Sequence, residues 1–230
     1  MSVAHRTRAL FVTGTDTGVG KTVIAAALLR GLRERGRRVA GMKPVASSCR
    51  ETPAGIVSDD ALALIAEASE SAPYAIVNPY SFIPAIAPHV AAVEAGTRID
   101  LRELERAYRI LAGLADVVVI EGAGGWLTPL DAKHALADFA RKVKADVILV
   151  VGLRLGCLNH ALLSAQSIEH SGLKLAGWVA NAIDPRFERA SDNVRSLQER
   201  LKAPLLGQIP HQPTVSAAAA AEYLRLDSLD

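Results

Sequence analysis

The segment Phe11-Val12-Thr13-Gly14-Thr15-Asp16-Thr17-Gly18-Val19-Gly20-Lys21-Thr22 constrains this chain more than any other. An apolar run, Ala9 to Val12, enters a glycine-rich turn that ends in Gly-Lys-Thr and opens an alanine-rich helical stretch. Backbone N–H groups of such a turn, with the helix N-terminus behind them, form a concave site for an anion. Lys21 has the reach to meet the outer phosphates of a nucleotide, and the Thr22 hydroxyl suits one position around Mg2+. The strict phosphate-loop pattern has four residues between its glycines. Here five separate Gly14 from Gly20, so Thr15 stands where the first glycine would be. A junction that merely contains Gly-Lys-Thr is the plainer account; the order strand, turn, helix weighs against it.

Half of the 230 residues are hydrophobic but only 4% are aromatic, so the interior must be built from Ala, Val, Leu and Ile. A net charge of +2 argues against a nucleic-acid-binding surface. The basic group Arg30, Arg33, Arg35, Arg37 and Arg38 falls where a helix ends, so it reads as a solvated helix terminus. Two cysteines, Cys49 and Cys157, form no disulfide framework; a single bridge is open to them, and a reduced intracellular protein is the expectation. Met1 to Arg8 is basic yet leads into too few apolar residues for a signal peptide, and the run Val147 to Val151 is cut by Gly152 and Arg154. The expectation is a cytoplasmic protein with no membrane partner, folded as one domain over 1–230.

Strand and helix patterns alternate along the chain. Lys21 to Arg35 reads as a helix closed by Gly36, and Val39 to Met42 as a short strand ending at Lys43-Pro44. Ser58 is placed to cap a helix with Ala61, Leu62, Leu64 and Ile65 on its apolar face, and Asp100 to cap one carrying Leu101, Leu104, Tyr108 and Leu111. Val117 to Ile120 and Val147 to Val151 are β-branched runs of the kind buried on both faces of a parallel sheet. Helices are expected over 159–171 and 187–201, strands over 175–180 and 205–209, and a short terminal helix at 217–221. Residues 73–97, with prolines at 73, 79, 84 and 88, form the longest irregular connection, expected over the sheet edge or a site. The fold class that follows is α/β: a P-loop NTPase-like, mostly parallel sheet with helices on both faces.

Ligands of such sheets bind outside the carboxyl ends of the strands. The strand ends deliver the phosphate loop, Lys43, Glu121-Gly122-Ala123-Gly124-Gly125, Gly152 and Asn181 to one edge. An acid directly after a buried strand, as at Glu121, is where many nucleotide hydrolases hold their metal shell, although an N-cap role is the alternative. Asp59 and Asp60 open a helix, where favourable dipole contacts account for them alone. Lys43, ending a buried strand, is a second cation for a phosphoryl group or an anionic intermediate; an ion pair with a neighbouring acid is the alternative.

Four segments in order, Gly14 to Thr22, Lys43-Pro44-Val45-Ala46-Ser47, Glu121 to Gly125 and Gly156-Cys157-Leu158-Asn159-His160, resemble those of the dethiobiotin synthetases. So do Asn78-Pro79-Tyr80, Pro88-His89, Ala176 to Asn181 and Pro204 to Gly207, over about residues 10–210. The extra phosphate-loop residue is the form that family uses. The resemblance implies an ATP- and Mg2+-dependent enzyme of biotin synthesis acting on 7,8-diaminononanoate and CO2. One amine takes up CO2 as a carbamate, ATP phosphorylates it, and the other amine closes the ring, leaving dethiobiotin, ADP and phosphate.

On the same resemblance, Thr17, Gly18, Val19, Gly20, Lys21, Thr22 and Val23 surround the ATP phosphates, with Lys21, Lys43 and Thr17 in catalytic roles. Gly122, Ala123 and Gly124 lie along the nucleotide, and Thr22, Asp60 and Glu121 hold magnesium. Asn181 recognises adenine, with Pro210 and His211 near the base. Ser47 meets the diamine or its carbamate, and Gly156, Cys157, Leu158 and Asn159 take the far carboxylate across a homodimer. The chain departs from some members at Gly18, at Ala182, and at Asn193, where a carboxylate-binding tyrosine stands in those members. A nucleotide-switch ATPase of the partitioning type and a passive nucleotide-binding module are the other readings. The switch proteins carry a lysine early in the loop, where this chain has Thr15, Asp16 and Thr17.

Overall fold

The computed structural model describes residues 7–212 and 214–229. Strand β1 (Arg8–Gly14) leads through the phosphate loop into α1 (Lys21–Glu34) and β2 (Val39–Met42). Between β2 and the next long strand lie β3 (Val45–Ala46), β4 (Arg50–Thr52), β5 (Gly55–Val57), α2 (Asp59–Glu67), α3 (Tyr74–Val77), β6 (Tyr80–Ser81), α4 (Pro88–Glu94) and α5 (Leu101–Ala112). The chain then alternates through β7 (Val117–Glu121), α6 (Leu136–Lys142), β8 (Asp146–Gly152), α7 (Cys157–His170), β9 (Leu175–Asn181), α8 (Ala190–Arg200), β10 (Leu205–Ile209) and α9 (Ala217–Ala221).

Six strands form one sheet in the order β10-β9-β8-β1-β7-β2, every pair parallel. Leu10 and Val12 face one side and Phe11 the other, and all three are fully buried, as a strand covered on both faces requires. Helix α1 covers the first face with Ile24 and Leu28; α5, α6, α7 and α8 cover the second with Leu104, Phe139, Ile168 and Leu197. Because β1 is central, with β7 on one side and β8 on the other, the loops after all three strands converge.

Most of the expected elements are present, and the caps act as read: Ser58 Oγ accepts from Ala61 N–H and Asp100 Oδ1 from Arg102 N–H. Four expectations need correction. Leu62 and Ile65 are exposed (37% and 38%), because Ala61 and Leu64 are the residues of α2 that are buried. Residues 73–97 are not one irregular excursion but contain α3, β6 and α4. Helix α7 starts at Cys157 rather than 159, straight after the left-handed Gly156, and α8 starts at Ala190 after a turn at 184–187. The β4–β5 hairpin and α6 gave no sequence signal strong enough to be read. Cys49 and Cys157 are buried free thiols. In the basic group, Arg30, Arg33 and Arg38 pair with Glu34, Glu67 and Asp116.

Gly41 sets how closely α2 approaches the sheet: a Cβ there would stand 2.7 Å from Leu64 Cβ, which no side-chain rotation can move. Gly41→Ala is therefore expected to cost about 1–3 kcal/mol, the range for overpacking. At roughly 2–4 °C per kcal/mol for a chain of this size, a melting scan resolves it. A variant melting with the parent would show that α2 is not held at this distance.

Candidate active site

The loop after β1 takes its shape from two left-handed glycines, Gly18 (φ 74°) and Gly20 (φ 91°), the second of which caps α1. Such φ values suit glycine, and here they turn the loop over the helix N-terminus. Lys21 is buried and its Nζ folds back to donate to Asp16 O at 2.8 Å. Burial, with the Lys43 charge nearby, lowers the Lys21 pKa to about 8. Thr17 is exposed, and its N–H donates to Asp16 Oδ1 at 2.7 Å.

Beneath the loop, β2 and β7 end side by side in register, Met42 opposite Ile120, which brings Lys43 beside Glu121. Both are almost fully buried, at 3% and 1% exposure. Lys43 Nζ lies 2.6 Å from Glu121 Oε1 and 2.7 Å from Asp60 Oδ2 of the half-buried first turn of α2. The ion-pair alternative weighed for Lys43 is thus what its ammonium makes here. Thr22 Oγ1 joins the group at 2.9 Å from Asp60 Oδ1 and 2.8 Å from Glu121 Oε1. One backbone segment fixes Lys43 from outside: its N–H donates to Val77 O, and Asn78 Nδ2 donates to its carbonyl at 2.6 Å. Neither Asn78 nor Val77 was assigned this role from sequence.

Two acids share one ammonium. Burial works to lower the Lys43 pKa, but Glu121 and Asp60 together outweigh it and hold the lysine charged. Glu121 moves up, because burial and the Asp60 charge outweigh its bond to Lys43. Asp60 moves down: its partial burial is outweighed by Lys43, Thr22 and Lys21.

Lys21, Thr22, Lys43, Asp60 and Glu121 therefore form one cluster. Its two carboxylates and hydroxyl are the hard oxygen donors that suit Mg2+. Glu121 Oε2 is buried with no hydrogen-bond partner among the described residues, an unused acceptor. Among the described residues no three of His, Cys, Asp or Glu form a cage, so a cation here would complete its shell with phosphates and water.

Several of the other expected residues follow strands of the same sheet edge. Gly122 N–H donates to Val12 O, and Gly124 is left-handed, with Thr128 Oγ1 2.6 Å from where a Cβ would be. Ala123 is half-buried between them. Ser47 Oγ is buried without a hydrogen-bond partner among the described residues. Asn181 Nδ2 donates to Val19 O at 2.8 Å and lies 2.3 Å from a notional Cβ on Gly20, so its amide is tied to the phosphate loop. Pro210 and the exposed His211 follow β10 beside it, His211 Nδ1 being 3.2 Å from Ala182 O. Val23 is half-buried in the first turn of α1. Gly156, Leu158 and Asn159 stand apart, on the turn into α7, where Cys157 is buried with its Sγ 3.8 Å from Asn193 Oδ1. Sequence reasoning missed the side chain that links this turn to the phosphate loop, Arg154, which pairs with Asp16.

Residues 8–219 match the model of a family described as an AAA domain. A protein of Pseudomonas aeruginosa strain UCBPP-PA14 named ATP-dependent dethiobiotin synthetase BioD is 51% identical over 222 residues, 96% of this chain and 97% of that protein. One of the same name from Xanthomonas campestris pv. campestris is 49% identical over 218 residues, 95% of this chain and 97% of that one. Among solved structures, cobyrinic acid a,c-diamide synthase of Mycobacterium smegmatis, with a bound ATP analogue and magnesium, superposes at a TM-score of 0.55 with 21% identity, covering 94% of this chain and 92% of that one. The MinC:MinD cell division complex of Aquifex aeolicus does so at 0.56 with 17% identity, covering 93% and 86%. At these identities the two structures speak for the fold alone.

The depressed Lys21 pKa carries a sign. Above pH 8 the free protein has lost much of this ammonium, and bound phosphates favour its return. ATP binding at pH 8.5 is expected to take up roughly half a proton or more. Calorimetry in buffers of different ionisation heat checks this; a binding enthalpy independent of buffer would contradict it.

Proposed function

This chain belongs to the ATP-dependent dethiobiotin synthetase family, and from that premise we propose that it closes the cyclic urea of dethiobiotin at the Lys43 cluster. Its substrates are 7,8-diaminononanoate, CO2 and ATP. One observation carries the reading: Lys43 and Thr22 each lie within 2.9 Å of both Asp60 and Glu121, where the phosphate loop enters α1.

The chemistry needs two amines, a carbamate and a terminal phosphate held together while negative charge shifts between oxygens. Positioning and electrostatics supply most of the catalysis in such transfers. Thr22, Asp60 and Glu121 would hold Mg2+, which would supply positive charge against the phosphate oxygens. With the two acids so compensated, Lys43 would be free to face the carbamate and the phosphoryl group. Lys21, already folded over the loop, serves the outer phosphates, and the N–H groups of Thr17 to Thr22 cradle them. Ser47, with its unpartnered hydroxyl, takes the diamine or its carbamate. Burial keeps water from the phosphorylated carbamate, which would otherwise hydrolyse.

Asn181 reads the adenine amino edge, with Pro210 and His211 beside the base; its Nδ2 carries a second hydrogen besides the one given to Val19 O. The substrate's far carboxylate goes to free N–H groups at the start of α7, Gly156 to Asn159, of a second subunit in a homodimer. Leu155 (92% exposed) and Leu163, apolar residues flanking that turn, support an interface there. The whole chain works as one cytoplasmic domain; no helix among the described residues is long and apolar enough to cross a membrane.

Labelled bicarbonate is expected to enter a cyclic urea only with diamine and ATP both present. ATP hydrolysis independent of diamine would instead indicate a nucleotide switch. Lys43→Ala should lower kcat by about a hundredfold or more while ATP binding changes by less than tenfold, as for a charge used as transfer proceeds. Equal losses in both would contradict that role.

A further inference from the structure

Asp16 is the one acid in the phosphate loop, Gly14 to Thr22. A carboxylate beside a cradle for phosphates repels the ligand unless a cation cancels it. Here the Asp16 carboxylate accepts from Thr17 N–H on its own loop and from Arg154 Nη2, 138 residues away. Arg154 lies in the connection between β8 and α7, and its carbonyl accepts from Cys157 N–H at 3.0 Å, which fixes the turn. Two further bonds tie the same strand end to the loop: Thr15 N–H donates to Val150 O at 2.9 Å, and Gly152 N–H to Thr15 Oγ1 at 3.4 Å. Lys21 Nζ, meanwhile, bonds the Asp16 carbonyl rather than its carboxylate, so the cation that faces the nucleotide is not consumed by this acid.

We propose that Arg154 is a positioning residue for nucleotide binding: it neutralises the Asp16 carboxylate at the edge of the phosphate cradle, where that carboxylate is bonded to Thr17 N–H. The inference rests on the ATP site assigned above. Exposed ion pairs contribute little to folding, and Arg154 and Asp16 are 39% and 46% exposed. The pair's effect should therefore appear in anion binding rather than in stability. Bound at the same turn as Gly156 to Asn159, Arg154 also sets the phosphate loop against the segment assigned to the substrate carboxylate.

The test is equilibrium binding of a fluorescent, non-hydrolysable ATP analogue to the full chain, with a melting scan of each variant. Arg154→Ala is expected to melt within about 2 °C of the parent and to bind the analogue about tenfold more weakly at low salt, the gap narrowing at high salt. Arg154→Lys should retain most of the affinity. Adding Asp16→Asn to Arg154→Ala should restore binding to within about threefold of the parent, which a merely structural arginine would not allow. Unchanged binding in Arg154→Ala, or a double variant as weak as Arg154→Ala, overturns the proposal. A parent that binds no analogue overturns the site reading itself, and this inference with it.

Discussion

The buried contact between Lys43 and its two carboxylates is the constraint from which the rest of this structure follows. An ammonium at 3% exposure is tolerable only with partners, and both must be delivered by separate elements. Parallel pairing of β2 with β7 brings Glu121; the close approach of α2 across Gly41 brings Asp60; the bonds from Val77 and Asn78 hold the Lys43 backbone. Removing one partner of such a group leaves a charge uncompensated, at a typical cost of about 3–5 kcal/mol. The site and the fold are stabilised by the same contacts.

A site for both a cation and an anion requires acids and ammonium groups side by side. Two acids face Lys43 directly, with the Lys21 charge near them as well, and Glu121 Oε2 has no hydrogen-bond partner among the described residues. In the proposed function, a divalent ion held by Thr22, Asp60 and Glu121 would compete with Lys43 for the two carboxylates, and the lysine would then serve phosphate oxygens. Thr22, bonded to both acids from the first turn of α1, connects this exchange to the phosphate loop. Dipoles and charges arranged before the ligand arrives avoid reorganisation during the reaction.

Much of this was legible in the chain because local signals agreed with the global fold. The β-branched runs of β7 and β8, the cap residues Ser58 and Asp100, and the glycine-rich turn each point to one conformation. Asp60 was not legible from its own surroundings, since an acid in the first turn of a helix explains itself; the family resemblance singled it out. Leu62 and Ile65 misled because helical periodicity identifies an apolar stripe but not how much of it a neighbour covers. The Asp16–Arg154 pair leaves no local trace at all, as the partners meet only through the pairing of β1 with β8. The clasp of Asn78 on Lys43 is hidden for the same reason: a polar residue between prolines reads as a turn.

The most direct measurement is a crystal structure of this chain with Mg2+ and a non-hydrolysable ATP analogue. The account predicts Glu121, Asp60 and Thr22 gathered on the cation, with Lys43 Nζ turned from Glu121 to the terminal phosphate. Lys43 still locked against Glu121, with the terminal phosphate bound elsewhere, would contradict it.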